Sequence, residues 1–120
     1  MKAFLVAACF AATLLAGCSG SQAPANEVLG TNDGGSRFVS PDLQVKTGDS
    51  VTFRMGTGSH TVDFIDTDGV SKATSGNLDP GQTHVVTFSQ AGTYRYFCAY
   101  HSSVGAGGER TGMVGTITVT

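Results

Sequence analysis

From residue 50 onward, apolar side chains recur at every second position, the period of a β-strand with one buried face. In Ser50-Val51-Thr52-Phe53-Arg54, Val51 and Phe53 fall on the same side. In 93–98, Tyr94, Tyr96 and Cys98 share one face, and Thr93, Arg95 and Phe97 the other. Met113 opens a last alternating segment in which Ile117 and Val119 share its face, opposite Thr116, Thr118 and Thr120. Similar patterns predict strands at 37–40, 43–46, 61–65 and 82–89, with a short strand or helical turn near Val70. Pro41 cannot donate to a ladder, so the strand ending before it belongs at an edge or bend. Thr47-Gly48-Asp49 and Asp79-Pro80-Gly81 read as turns, and the Gly-rich 102–112 as a loop. Helical periodicity is not sustained over three turns anywhere after the N-terminal segment, and there is no internal repeat. About seven strands at this spacing predict an all-β sandwich or barrel.

Composition narrows this only at the ends of the argument. Forty per cent apolar residues and 17 glycines among 120 fit one small globular domain. A net charge of −2 offers no basic face for nucleic acid. The N-terminus is different: Lys2 precedes an apolar run, 3–16, too short to span a bilayer but suited to a signal-peptide core. It ends in Leu15-Ala16-Gly17-Cys18, which resembles the bacterial lipoprotein box. That resemblance implies a signal peptide over 1–17, acylation of Cys18, and export to a periplasmic or cell-surface position on a membrane. Two or three acyl chains would make such anchoring stable. Residues 18–26, small and polar around Pro24, form the expected tether, and 27–120 the domain.

The cysteines then carry chemical information. Cys9 leaves with the signal and Cys18 is taken by lipid, so Cys98 is the one thiol left in the domain. A lone thiol in an oxidising compartment needs burial or a metal. Cys98 ends an alternating strand, His101 follows two residues later, Met113 opens the next strand, and His60 stands upstream. Two imidazoles, a thiolate and a weak thioether suit a copper ion cycling between Cu(I) and Cu(II) in one geometry. His84 is in phase with Val86 and Phe88 and is expected to pack within its strand rather than bind metal.

Residues 38–120 resemble the cupredoxins, most closely the plastocyanin-like branch. The likeness rests on Asp42-Leu43-Gln44-Val45 with Gly48-Asp49, Val51-Thr52-Phe53, His60-Thr61-Val62, Pro80-Gly81, 92–98, His101 and Gly112-Met113-Val114-Gly115. It implies an eight-stranded Greek-key sandwich holding one copper ion near one end. His60, Cys98 and His101 would form a trigonal plane and Met113 the weak axial ligand. The implied function is one-electron transfer between redox protein partners by a monomer that is not an enzyme, through the exposed edge of His101. Copper delivery is the alternative, as is a small copper enzyme with an open coordination position.

Three departures from that family pattern, and one acidic run, set expectations of their own. The 102–112 segment, 11 residues, exceeds the family's few-residue loop and makes Glu109 a rival to Met113. Thr61 stands where asparagine commonly ties the ligand loops together, and is expected to tie them less well. Phe97 lacks the hydroxyl of the tyrosine at the remote electron-uptake site of plant plastocyanins. Asp63, Asp66 and Asp68 form an acidic run, either a solvated loop or a docking patch for a basic partner.

Overall fold

The computed structural model describes residues 26–120; the signal segment, Cys18 and all of the tether but Asn26 lie outside the described residues. Eight strands follow in chain order: β1 Glu27–Thr31, β2 Arg37–Val39, β3 Asp42–Val45, β4 Ser50–Met55, β5 Asp63–Phe64, β6 Thr83–Thr87, β7 Gly92–Val104 and β8 Arg110–Val119. They form two four-stranded sheets, ordered β2-β1-β4-β6 and β3-β8-β7-β5. From β2 to β7 the chain changes sheet at every step, so neither sheet can assemble from consecutive strands alone. The all-β sandwich expected from the period-two pattern is the architecture observed.

The pattern also predicts which face is buried. Val51, Phe53 and Met55 of β4 are all inside, as are Tyr94, Tyr96 and Cys98 of β7 and Met113, Ile117 and Val119 of β8. Aromatic rings fill the space between the sheets. Phe53 and Phe38 each meet Tyr96 edge-on at 5.0 Å, and Phe64 links Phe53 to Phe88. Such edge-to-face pairs add about 0.5–1.5 kcal/mol each beyond area burial. Tyr96 reaches across β8 of its own sheet, donating its hydroxyl to the Pro41 carbonyl at 2.6 Å. It stands directly opposite Gly115, whose missing side chain leaves room for the ring. Burial pushes the Tyr96 phenol well above its ordinary pKa, with the Asp42 charge adding to the effect.

Several elements depart from the expected boundaries. β2 is an edge strand, as Pro41 required. β1, not delimited by the pattern, pairs in parallel with β4 and buries Val28. The 61–65 strand shrinks to Asp63–Phe64, because 60–62 turns away to bridge Leu78 and Ser75 instead. Near Val70 there is a single bridge to Phe88. The largest correction concerns 102–112, which is not a loose loop. Val104 pairs with Arg110, Ser103 with Thr111 and Ser102 with Gly112, extending β7 and β8 into a hairpin. The glycines that suggested a loop are confined to its tip, where Gly105 and Gly108 make the turn, and to Gly112.

His84 is buried and donates Nε2–H to the Lys72 carbonyl at 3.2 Å, serving the core as expected. One member of the acidic run is consumed within the fold. Asp66 grips Arg95 through two side-chain contacts of 2.8 Å and a backbone contact of 2.9 Å. That hydrogen bonding holds its carboxyl at about 2. Because the folded pKa lies below the ordinary 3.8, this stabilisation is present above about pH 4 and disappears as pH falls towards 2. Asp66→Asn should therefore flatten the loss of stability between pH 4 and pH 2 while lowering it slightly at neutral pH, where the pair is solvent-screened. Urea unfolding at both pH values checks this; an unchanged acid slope would contradict it.

Candidate metal centre

The site is built by a break in the β7–β8 ladder. Phe97 pairs with Val114 and Ser102 with Gly112, so residues 98–101 stand opposite Met113 alone. In a regular strand, positions 98 and 101 point to opposite faces. The bulge removes that constraint and lets Cys98 and His101 converge. Gly112 makes the close approach possible. It has φ of +99°, and a Cβ there would lie 2.6 Å from the His101 carbonyl oxygen.

His60 arrives from the other direction, on the connection between β4 and β5. Backbone bonds of 2.9 and 2.8 Å to Leu78 hold it in place, and Ser59 donates to Asp79 beside it. Its Nε2–H donates to the Thr57 carbonyl at 2.9 Å, which fixes the tautomer and leaves the Nδ1 lone pair free. That Nδ1 lies 3.3 Å from His101 Nδ1 and 3.8 Å from Cys98 Sγ, while His101 Nδ1 lies 3.6 Å from Sγ. Two imidazole nitrogens this close must share a proton or a cation. A triangle with these edges has its equidistant point about 2.1 Å from each corner, near the 2.0–2.3 Å of nitrogen and sulfur bonds to a d-block ion. The donor set therefore fits a metal without rearrangement. Burial lowers the His60 pKa, and the neighbouring His101 lowers it further, against the opposing pull of Thr57. Neutral, ligand-ready imidazole is thereby favoured.

His60 and Cys98 are buried and His101 is half-buried. Met113 is buried in the register gap directly across the ladder from the bulge, in phase with Ile117 and Val119. Glu109 is elsewhere: it is exposed at the hairpin tip, its carboxylate against Gly105 and Gly107. The pairing of Val104 with Arg110 puts it just outside the ladder and apart from the three donors.

Thr61 does more than expected. Its hydroxyl accepts the Ala99 N–H at 2.7 Å and donates to Asp63 at 2.7 Å, while its own N–H points at Cys98 Sγ at 3.4 Å. One residue thus ties the His60 and Cys98 segments together, with Asp63 as its anchor. Thr61→Val keeps the shape but removes both hydroxyl bonds, at a cost of about 1–3 kcal/mol for the buried groups left unpaired. Thermal unfolding of the copper-free protein measures that loss, and a wild-type midpoint would refute the role.

Three further contacts escaped sequence reasoning. The Thr57 carbonyl is a backbone group and has no side-chain signature. Met55, in phase with Phe53, packs beside the His60 ring in space left by Gly30; a Cβ on Gly30 would sit 2.6 Å from the Met55 sulfur and 3.4 Å from His60 Cδ2. Arg110 lays its guanidinium 3.7 Å over the Phe97 ring.

A largely buried His-Cys-His triangle on a two-sheet sandwich defines a copper-binding protein of the cupredoxin class. Residues 25–120 match the family of copper binding proteins, plastocyanin/azurin family, and the chain belongs to it. Copper is accordingly its cofactor, and His60, Cys98 and His101 form the candidate site. The chain is 37% identical over 120 residues to the chloroplastic plastocyanin of Silene latifolia subsp. alba, covering 91% of this chain and 68% of that protein. It is 35% identical over 102 residues to plastocyanin A'/A'' of Nicotiana tabacum, covering 77% and 96%. Among solved structures, an oxidised amicyanin variant superposes with a TM-score of 0.61 at 27% identity, covering 85% of this chain and 88% of that one. A purple cupredoxin from Nitrosopumilus maritimus shares the fold at a TM-score of 0.59 and 22% identity, over 78% and 98%.

Proposed function

We propose that the domain 27–120 is a one-electron carrier in which His60, Cys98 and His101, with a weaker contribution from Met113, would hold a single copper ion. The observation that supports it most directly is the pre-formed Nδ1–Nδ1–Sγ triangle with edges of 3.3, 3.6 and 3.8 Å. Bound copper supplies the one-electron couple, and the His2Cys set with a long thioether is the arrangement of blue-copper electron-transfer sites. The protein's own part is to hold the donors still. Thr57 orients His60, Thr61 clasps Cys98, and the sandwich leaves little freedom for either oxidation state to reshape the site. Rigid donors keep the reorganisation on electron exchange small.

The port is the half-buried edge of His101, beside the Tyr100 ring, which lies 6.3 Å away and is 53% exposed. Redox partners of unknown identity would dock there. Asp66 is paired with Arg95, which leaves the charges of Asp63 and Asp68 in the acidic run for steering. The N-terminal sequence supports an exported protein held to a membrane through acylated Cys18.

The test is the visible spectrum and voltammetry of the copper-loaded protein: an intense thiolate-to-copper band and a reversible couple are expected. Met113→Gln should shift that band and lower the midpoint potential, and an unchanged spectrum and potential would remove Met113 from the site. Rapid loss of Cu(I) would move the reading to copper delivery, and binding of azide or nitrite to the oxidised metal would move it to a copper enzyme.

A further inference from the structure

The hairpin at 102–112 returns to the metal centre through a row of hydrogen bonds. Arg110 Nη1 donates to Ser102 Oγ at 3.2 Å, and Ser102 Oγ donates to the Cys98 carbonyl at 2.6 Å. Across the same peptide bond, Ala99 N–H donates to Thr61 Oγ1 at 2.7 Å, which donates to Asp63 Oδ2 at 2.7 Å. The directions are forced. Guanidinium and amide N–H groups only donate, carbonyl and carboxylate oxygens only accept, and each hydroxyl has one hydrogen. The chain therefore runs one way, from a cation at Arg110 to an anion at Asp63. It is threaded through the single peptide that follows the cysteine. That peptide lies with its carbonyl towards the cation and its N–H towards the anion, the favourable orientation of its dipole.

We propose that Arg110 and Ser102 are positioning residues that lock the Cys98–Ala99 peptide and, through it, set the reduction potential of the metal held by Cys98. This rests on copper binding at that residue, as proposed above. Three features make the arrangement more than surface decoration. Arg110 is itself held, with its guanidinium on the Phe97 ring and its backbone paired with Val104. Ser102 is the first residue back in the ladder after the bulge, so it fixes the end of the segment that carries Cys98 and His101. Thr61 closes the other side with its N–H on the sulfur. Aligned hydrogen bonds polarise one another. Positive charge delivered to the residue bearing the thiolate favours the reduced metal, whose site carries one less positive charge. The 102–112 hairpin thus acts as a strap with its own cation.

The experiment uses the full chain with Arg110→Met, which keeps the stack on Phe97 but removes donor and charge, and Ser102→Ala, singly and together. Two readouts are taken: the midpoint potential of the copper-loaded protein, and amide hydrogen exchange of Ala99 in the copper-free protein. Each single variant should lower the potential and speed Ala99 exchange several-fold. The double variant should be no worse than Ser102→Ala alone, because Arg110 acts through Ser102. Ser102→Thr, which retains the hydroxyl, should restore both values. An Arg110→Met shift of equal size with and without Ser102 would show that the charge acts through space and overturn the chain. Unchanged potential and unchanged exchange would overturn it entirely. Absence of any reversible couple would refute the electron-carrier reading, while Ala99 exchange would still decide whether the strap locks the peptide.

Discussion

Cys98→Ser should abolish the intense visible band of the copper-loaded protein and weaken copper retention by more than 100-fold. Loss of a residue that merely orients a ligand costs about 10–100-fold in affinity, and here a donor itself is lost. A serine hydroxyl at this position does not ionise at neutral pH, so the site would drop from three strong donors to two imidazoles. The fold should survive. Cys98 is buried, but the smaller oxygen still accepts from Thr61 N–H, whose sulfur contact is 3.4 Å in the native protein. The expected stability change is therefore about 1–2 kcal/mol, as for a modest core replacement. Absorption spectroscopy with competition against a copper chelator reads the first effect, and urea unfolding of the copper-free protein the second. Retention of the band would remove Cys98 from the centre.

The second large effect falls on a residue with no side chain. Gly115→Ala places a Cβ where the Tyr96 hydroxyl and ring carbon already stand, and 2.5 Å from the Pro41 carbonyl oxygen. A flexible neighbour could swing aside, but the Pro41 oxygen is backbone and Tyr96 is packed by Phe38 and Phe53 on two sides. Overpacking of a close-packed core costs about 1–3 kcal/mol and occasionally more. This position belongs at or above the upper end, because relief requires either strand separation or loss of the Tyr96–Pro41 bond. Tyr96→Phe in the same chain removes the hydroxyl and should recover part of the loss, while the ring carbon keeps the remainder. Denaturant midpoints of the two single variants and the pair measure this; a Gly115→Ala protein as stable as wild type would show that β8 can yield.

Much of this was readable from the residues in order. Alternation at Tyr94, Tyr96 and Cys98, and at Met113, Ile117 and Val119, encodes which face meets the core, because a strand has period two. Cys98 and His101 are separated by an odd number of positions, which a flat strand would send to opposite faces; their convergence needs the bulge. The hairpin was hidden because its glycines carry the same composition whether they make a tight tip or a loose loop. Backbone pairing of Val104 with Arg110 separates the two cases, and pairing is a long-range property. Glu109 looked close to the centre by number and is carried off by that hairpin. The tasks of Thr57 and Ser102 depend on main-chain carbonyls, which every residue has and no pattern marks.

The order of strands in the second sheet has a consequence for how the molecule comes into being. β8 lies between β3 and β7, so the strand synthesised last among the described ones is an inner one. Its parallel partner β3 pairs Asp42 with Thr116, a closure across most of the domain. Chains dominated by such distant pairings fold in milliseconds to seconds rather than microseconds. A nascent chain that has emerged only as far as residue 109 already carries both candidate ligand histidines and Cys98, but lacks the strand that joins β3 to β7 in its second sheet. Folding of this half is thus expected to await completion of synthesis, and the thiol to remain vulnerable to oxidation until β8 docks.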